Sequence, residues 1–252
     1  MAAHESPHSY KGIQTVKLKI EKESLFMPER MNLHVSKLGS AENRFLTIGL
    51  LGGNCVGKSI LINCLAGSEI ASLSNRRASP DHLQIYRYFE TDPLPVVLPL
   101  SEVLWREITQ RCHIRQVLFC EFPGFDNLMG EHCEHILQFL KHLDVLIWVA
   151  SLERYADARF YEFLRLVQDE IQNVFFVLNK VDLLFQGQNL EKGYEQIASV
   201  TKHFQGYIRE NYISEPLLYV ISALQALNVE ELASWNQFPM FRQKIMQQLN
   251  LE

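Results

Sequence analysis

The sequence predicts a three-layer α/β domain, a mostly parallel six-stranded sheet covered on both faces, with a helical extension ahead of it. Three observations predict it. From residue 45 onward, apolar runs of strand length alternate with segments of helical spacing, which is how a parallel sheet with crossover helices reads. A glycine-rich run, Gly52-Gly53-Asn54-Cys55-Val56-Gly57-Lys58-Ser59, stands directly behind the first of these apolar runs, Phe45 to Leu51. A second short polar run, Asn179-Lys180-Val181-Asp182, follows the apolar run Val174 to Leu178, so both fall where ligands sit in open α/β sheets.

Each element has its own signal. Residues 1–44 read as an N-terminal helical extension and 45–252 as the main domain. In the extension Ile13, Val16, Leu18 and Ile20 keep helical spacing until Pro28, and Met31, Leu33, Val35 and Leu38 resume it. Strands are expected at 45–51, 83–89, 115–121, 144–150, 173–178 and 217–221. Helices are expected at 58–66, 101–111, 130–142, 157–171, 190–210 and 238–249. The first of these carries Ile60, Leu61, Cys64 and Leu65 on one face and ends at Gly67, a natural C-cap. Between Thr91 and Leu100, Pro93, Pro95 and Pro99 impose an irregular connection. The terminal helix bears Phe241, Ile245, Met246 and Leu249, a stripe that packs on the sheet.

Composition excludes several classes. With 47% hydrophobic residues in 252, the chain buries one substantial core. Its 24 basic and 29 acidic residues leave a net charge of -5, and no basic run advertises a nucleic-acid groove, so direct nucleic-acid binding is not expected. Met1 to Tyr10 is polar and is no secretory signal, and the apolar run Val145 to Ala150 is far below the roughly 20 residues a bilayer needs. Cysteines at 55, 64, 112, 120 and 133 lack C-x-x-C spacing and read as reduced thiols of a cytoplasmic protein.

The glycine-rich run has the spacing of a phosphate-binding loop. Glycines at 52 and 57 let the backbone wrap an anion with its amides pointing inward. Lys58 reaches the β- and γ-phosphates of a nucleotide, Ser59 offers a hydroxyl to Mg²⁺, and the helix that opens there aims its N-terminal dipole at the same charge. The loop contacts are expected from Gly52, Asn54, Cys55, Val56, Gly57, Lys58, Ser59 and Ile60. The second run selects the base. A carboxylate at Asp182 accepts from both N1–H and the exocyclic amine of guanine, a donor pair that adenine lacks, and a site built on such bonds rejects the wrong base by about 10⁴ to 10⁵. Lys180 lies along the base and the phosphate loop, and Asn179 ties the loops together.

The ordered set Gly52 to Ser59, Glu121-Phe122-Pro123-Gly124, Asn179 to Asp182 and Ser222-Ala223-Leu224 resembles the translation-factor-related P-loop GTPases. It is most similar to the branch holding Era-like and bacterial dynamin-like GTPases, over residues 45 to 225. The resemblance implies a G domain that binds GTP and GDP with Mg²⁺. It implies that Glu121 meets the Mg²⁺ shell, that the Gly124 amide senses the γ-phosphate, and that Ser222 and Ala223 contact guanine through the main chain. Within Arg76 to His82, Ser79 takes the place of the first-switch hydroxyl that reaches Mg²⁺. Lys58 and Gly124 are the catalytic candidates, and Ser59, Ser79 and Glu121 the metal candidates.

The departures from the family pattern carry information too. Glu121 replaces an aspartate, adding a methylene. Phe125 stands after Gly124, where some relatives carry a water-positioning glutamine, and an apolar side chain cannot orient water. Cys55 occupies the place of the asparagine that supports potassium-stimulated catalysis in some relatives, so potassium activation is not expected. Slow intrinsic GTP hydrolysis follows, with the chain acting as a switch or a self-assembling GTPase. The alternative is a guanine-nucleotide-binding interaction module with little or no hydrolysis, and a phosphate-loop ATPase or small-molecule kinase is opposed by Asp182. The resemblance leaves room for a homodimer across the nucleotide face and for a peripheral membrane or protein partner.

Other residues have plainer readings. His132, Cys133 and His135 lack two further ligands and read as a solvated helix face rather than a zinc site. Asp157 reads as a helix N-cap. Trp105 and Trp148 are expected in the core, and Trp235 at the surface of a C-terminal hinge.

Overall fold

A computed structural model describes residues 46–72, 82–88, 103–108, 117–124, 136–137, 139–167, 173–211, 216–228 and 231–248. The elements in chain order are β1 (Leu46–Gly52), α1 (Lys58–Ala66), β2 (Leu83–Tyr88), β3 (Val103–Ile108), β4 (Val117–Glu121), β5 (Val145–Ser151) and α2 (Ala158–Val167). They continue with β6 (Val174–Asn179), a 3-10 turn (Val181–Phe185), α3 (Leu190–Asn211), β7 (Leu217–Val220), α4 (Ala223–Asn228) and α5 (Phe238–Gln248). Residues 136–137 and 139–140 are also helical. The expected extension at 1–44, the proline-rich connection, Ser79, Phe125 and the His132 to His135 cluster lie outside the described residues.

The α/β class and the mostly parallel sheet are as expected, and all six expected strands are present. The sheet has a seventh, with order β3-β2-β4-β1-β5-β6-β7. Strands β4, β1, β5, β6 and β7 pair in parallel, while β2 runs antiparallel to β4 and β3 runs parallel to β2. The added strand corrects the helix expected at 101–111. Val103, Leu104 and Ile108 fit either period over so short a run. Pairing decides it, because without β3 the strand β2 would be a sheet edge with a row of open backbone donors and acceptors.

The strands from β4 to β6 are mostly apolar, with polar residues chiefly at their C-terminal ends, because both their faces are covered. On β5, Leu146, Trp148 and Ala150 join one core and Val145, Ile147 and Val149 the other. The first core holds α2 and α3, with Phe160, Phe163 and Phe176 around Trp148, whose ring centroid is 4.5 Å from that of Phe160, and Phe204 against Phe160 and Phe176. Burying side chains of this size stabilises by roughly 1.5 to 3 kcal/mol each. The second core holds α1 through Leu61, Ile62 and Leu65, and α5 through Phe241 and Ile245, two residues of the expected stripe.

Local chemistry ends the helices where the sequence places it. Gly67 caps α1 with φ of 68°, a conformation that a side chain would strain. Asp157 caps α2, its Oδ1 accepting from the Arg159 amide at 3.1 Å while Arg159 also clasps the carboxylate at 2.8 Å. Trp235 departs from its expected exposure. It is half-buried and stacks on Phe185 with centroids 5.0 Å apart, a flat apolar contact that shields both rings.

Candidate functional site

Topology gathers the motif residues at one sheet edge. Gly52, Glu121, Asn179 and Val220 end β1, β4, β6 and β7, four strands of the parallel run β4-β1-β5-β6-β7 whose C-terminal ends share that edge. The loop after β1 turns into α1 at Gly57, whose φ is 97°. A Cβ at Gly57 would strike the Asn179 amide, and one at Gly52 would strike the Val149 carbonyl. Both glycines are therefore needed for close approach of the loop to its neighbours. Within the loop Val56 is buried, Asn54 half-buried and Cys55 exposed, while Ser59 and Ile60 are half-buried at the start of α1.

Lys58 is buried, 4% exposed, with Nζ donating to the Gly52 and Gly53 carbonyls at 3.2 and 3.0 Å. An ammonium held inside a loop in this way is placed for an anion bound by the loop amides. Gly124 closes on the loop from β4. A Cβ there would collide with Asn54, whose Oδ1 is buried with no hydrogen-bond partner among the described residues.

Asn179 joins the loops. Its Nδ2 donates to the Val56 carbonyl at 2.8 Å and its Oδ1 accepts from the Ala223 amide at 2.9 Å, with the side chain 2% exposed. Lys180 follows with φ of 65°, a left-handed turn that sends the chain into the 3-10 turn and leaves Asp182 half-buried on its first residues. Ser222 and Ala223 are fully buried beside it. The Ser222 carbonyl accepts from Asn236 at 3.1 Å, and the Ala223 carbonyl accepts from the Cys64 thiol of α1 at 3.0 Å. Burial pushes that thiol up to about 12, so it stays protonated and can donate.

Glu121 sits at the other side of the loop, 3% exposed. The Ser59 hydroxyl donates to its Oε1 at 2.6 Å, and the Tyr86 hydroxyl lies 3.1 Å from Oε2. The extra methylene is absorbed by reaching β2. Burial first, and the neighbouring carboxylate second, push the Tyr86 phenol above its usual range, so it is a donor at any physiological pH. A hydroxyl beside a buried carboxylate is a donor set of hard oxygens, which suits Mg²⁺. Among the described residues no group of three or more His, Cys, Asp or Glu could hold a metal.

Tyr86 is invisible in the motif pattern, as are Asn63 and Asn236. Asn63 accepts from the Ile70 and Ala71 amides at 2.9 and 2.7 Å and donates to the Ala71 carbonyl at 2.9 Å, fixing the chain as it leaves α1. Asn236 accepts from the Phe238 amide at 3.2 Å, which caps α5, while its amide holds Ser222. Asparagines followed by helix starts or chain turns are the signal that could have pointed to them.

Similar folds occur among solved structures. A bacterial dynamin pair, described as oligomerised and as sensing and tethering membranes at long range, superposes with a TM-score of 0.62 at 15% identity, covering 97% of this chain and 43% of that one. Era, solved with MgGDPNP and a segment of 16S ribosomal RNA, matches with a TM-score of 0.50 at 18% identity, covering 81% and 56%. The bacterial selenocysteine-specific elongation factor EF-Sec matches with 0.50 at 15%, covering 82% and 29%. The fold is that of the P-loop GTPases. No protein-family model matches the chain, and no curated protein matches it in sequence. The chain spans less than half the length of the dynamin chains it matches. In this G-domain fold no helix among the described residues is long and apolar enough to cross a membrane.

Proposed function

We propose that this chain is a guanine-nucleotide switch that binds GTP and GDP with Mg²⁺ and hydrolyses GTP slowly. The observation that carries the reading is the Asn179 bridge between Val56 and Ala223, which brings a phosphate-loop carbonyl and the buried Ser222-Ala223 turn onto one side chain. Lys58 stabilises charge developing on the β–γ bridge, and the loop amides complete the cradle. Asp182 accepts from the two guanine donors, Lys180 flanks the base, and the Ser222-Ala223 main chain closes over it. The Gly124 amide donates to the γ-phosphate, so its position distinguishes GTP from GDP. Ser59 and Glu121 hold the cation, with Ser79 as the first-switch hydroxyl. Mg²⁺, when bound, neutralises charge on the phosphate oxygens.

No side chain of the set orients the attacking water, since Phe125 follows Gly124. Turnover therefore rises when a second copy across the nucleotide face, or another partner at a membrane or protein surface, supplies that group. The test is binding of labelled GTP, GDP and ATP with Mg²⁺, followed by phosphate release as protein concentration increases. Guanine-selective binding with concentration-dependent release supports the switch. Selective binding without release favours the interaction module, the reading to which Glu121 and Phe125 point. Asp182→Asn swaps an acceptor for a donor and should shift preference from guanine to xanthine nucleotides, whose 2-oxo group accepts. Unchanged guanine preference in that variant would remove Asp182 from the base site.

A further inference from the structure

The Glu121 carboxylate is held at both ends, and only one of its holders comes from a recognised motif. Ser59 grips Oε1 at 2.6 Å and Tyr86 lies 3.1 Å from Oε2. The reach is set by sheet register. β2 runs antiparallel to β4 with Gln84 opposite Glu121, so Tyr86, two residues on, shares the face that looks toward α1, where Ser59 sits. The Tyr86 ring is fixed by packing in the same core as Phe119, Ile48 and Leu50, and its 3% exposure leaves it no freedom to leave. Its oxygen also lies 3.0 Å from Oε1 of Gln84, a second acceptor. The phenol has one proton and the carboxylate is the stronger acceptor for it, so the proton goes to Glu121, and a half-turn of the Gln84 amide would exchange its oxygen for an NH₂ facing the phenol.

We propose that Tyr86 is a positioning residue for the divalent cation: it anchors Oε2 of Glu121 so that Oε1 stays on Ser59, the pair that would hold the cation. The inference rests on the nucleotide-switch reading and deepens it. A glutamate has one more rotor than an aspartate, and an unanchored carboxylate would spend its time in arrangements that do not meet the cation. With Oε2 held, that rotor is frozen by the fold. Ser59 donates its proton to Glu121, which leaves the lone pairs of its oxygen for the metal. Groups that orient a ligand to a metal in this way are worth about 10- to 100-fold in metal affinity.

The experiment is a double-mutant cycle read by equilibrium binding rather than turnover. Fluorescent GDP affinity is measured in EDTA and then across a Mg²⁺ titration for the wild-type chain, Tyr86→Phe, Glu121→Asp and the double variant. Tyr86→Phe keeps the buried ring, so GDP affinity in EDTA should stay within about twofold. The Mg²⁺ concentration giving half the cation's effect should rise about tenfold or more. In the Glu121→Asp background the shorter carboxylate no longer reaches the phenol, and the same Tyr86→Phe change should move that midpoint by less than about twofold. An unshifted midpoint in Tyr86→Phe, an equal shift in both backgrounds, or a matching loss of affinity in EDTA would each overturn the proposal. The last two would leave Tyr86 a packing residue. Wild-type chain that binds GDP with no Mg²⁺ dependence would overturn this inference alone, whereas no guanine nucleotide binding at all would take the switch reading with it.

Discussion

Replacing Asn179 by alanine breaks the bridge between the loops and removes two buried hydrogen bonds, one to the Val56 carbonyl at 2.8 Å and one from the Ala223 amide at 2.9 Å. Ala223 is fully buried and opens α4, so its N–H finds no water when the bridge is lost. An orphaned donor of that kind costs about 1 to 3 kcal/mol, and an orphaned carbonyl, with a second lone pair to offer, costs less. The sum is a loss of about 2 to 4 kcal/mol in unfolding free energy. Part of this appears as weaker nucleotide binding, because both loops must be in place when the ligand arrives. We expect GDP and GTP affinities to fall together by about 10- to 100-fold, or about 1.4 to 2.8 kcal/mol. The informative companion is Asn179→Asp, which keeps the acceptor for Ala223 but turns a carboxylate oxygen toward the Val56 carbonyl. It should be as damaging as alanine at pH 7 and should recover on acidification, because the protonated acid can donate to Val56 again. Urea unfolding followed by tryptophan fluorescence and GDP titration measure both terms. If Asn179→Ala loses less than about 0.5 kcal/mol, or Asn179→Asp matches the wild-type chain at pH 7, the bridge does not join the loops.

Three further outcomes follow from the same structure. Trp148→Ala removes a buried ring from the cluster with Phe160, Phe163 and Phe176 and should lower stability by about 3 to 5 kcal/mol in urea unfolding, since the surrounding aromatic rings cannot collapse to fill the space. Asp157→Ala should cost about 1 kcal/mol as a lost N-cap. Hydrogen bonding to Arg159 holds the Asp157 carboxyl below its usual range, so its stabilisation is complete above the unfolded carboxylate pKa near 4 and disappears as pH falls through the lower folded value. The difference between the wild-type chain and the variant should therefore vanish in acid unfolding series. At neutral pH a maleimide should label Cys55, which is exposed in the loop, and leave Cys64 and Cys120, whose thiols are buried and pushed up in pKa. Bound GDP should slow the Cys55 reaction, and rapid labelling of Cys64 in the folded chain, read by peptide mapping, would contradict the packing.

The strands were legible because central parallel strands are apolar on both faces, so β1, β5 and β6 read as continuous runs that no amphipathic helix resembles. The phosphate loop was legible because its glycines answer to contacts within a few residues and to the ends of two strands, at Val149 and Asn179. What escaped depends on pairing between distant segments. β3 became a strand through β2, and nothing within Val103 to Ile108 says that β2 lacks a neighbour. Tyr86 joins the site through the β2–β4 register, which a single sequence does not encode locally. Trp235 was placed at the surface by its polar neighbours, yet the turn after Val181 brings Phe185 beneath it.

The hydrogen bonds divide the site into two units, which under the proposed switch should respond to different parts of a nucleotide. Asn179 ties the phosphate loop to Ala223, the Ala223 carbonyl accepts from the Cys64 thiol of α1, the Val181 amide donates to the Ile221 carbonyl at 3.2 Å, and Asn236, just ahead of α5, holds Ser222. These contacts lock the loop, α1 and the base-side turns to one another, so damage to any of them should weaken GDP and GTP alike. Ser59, Glu121 and Tyr86 form a separate cluster in which α1 meets β4 and β2. β2 and β4 lead out of and into the segments that carry Ser79 and Gly124. A change there should alter the cation's effect and the discrimination between GTP and GDP while leaving metal-free affinity in place. Under the proposed switch, affinity and state-sensing should therefore be separable by mutation, because the first would rest on buried side chains bonded to the main chain of the loop and turns and the second on one carboxylate suspended between two hydroxyls.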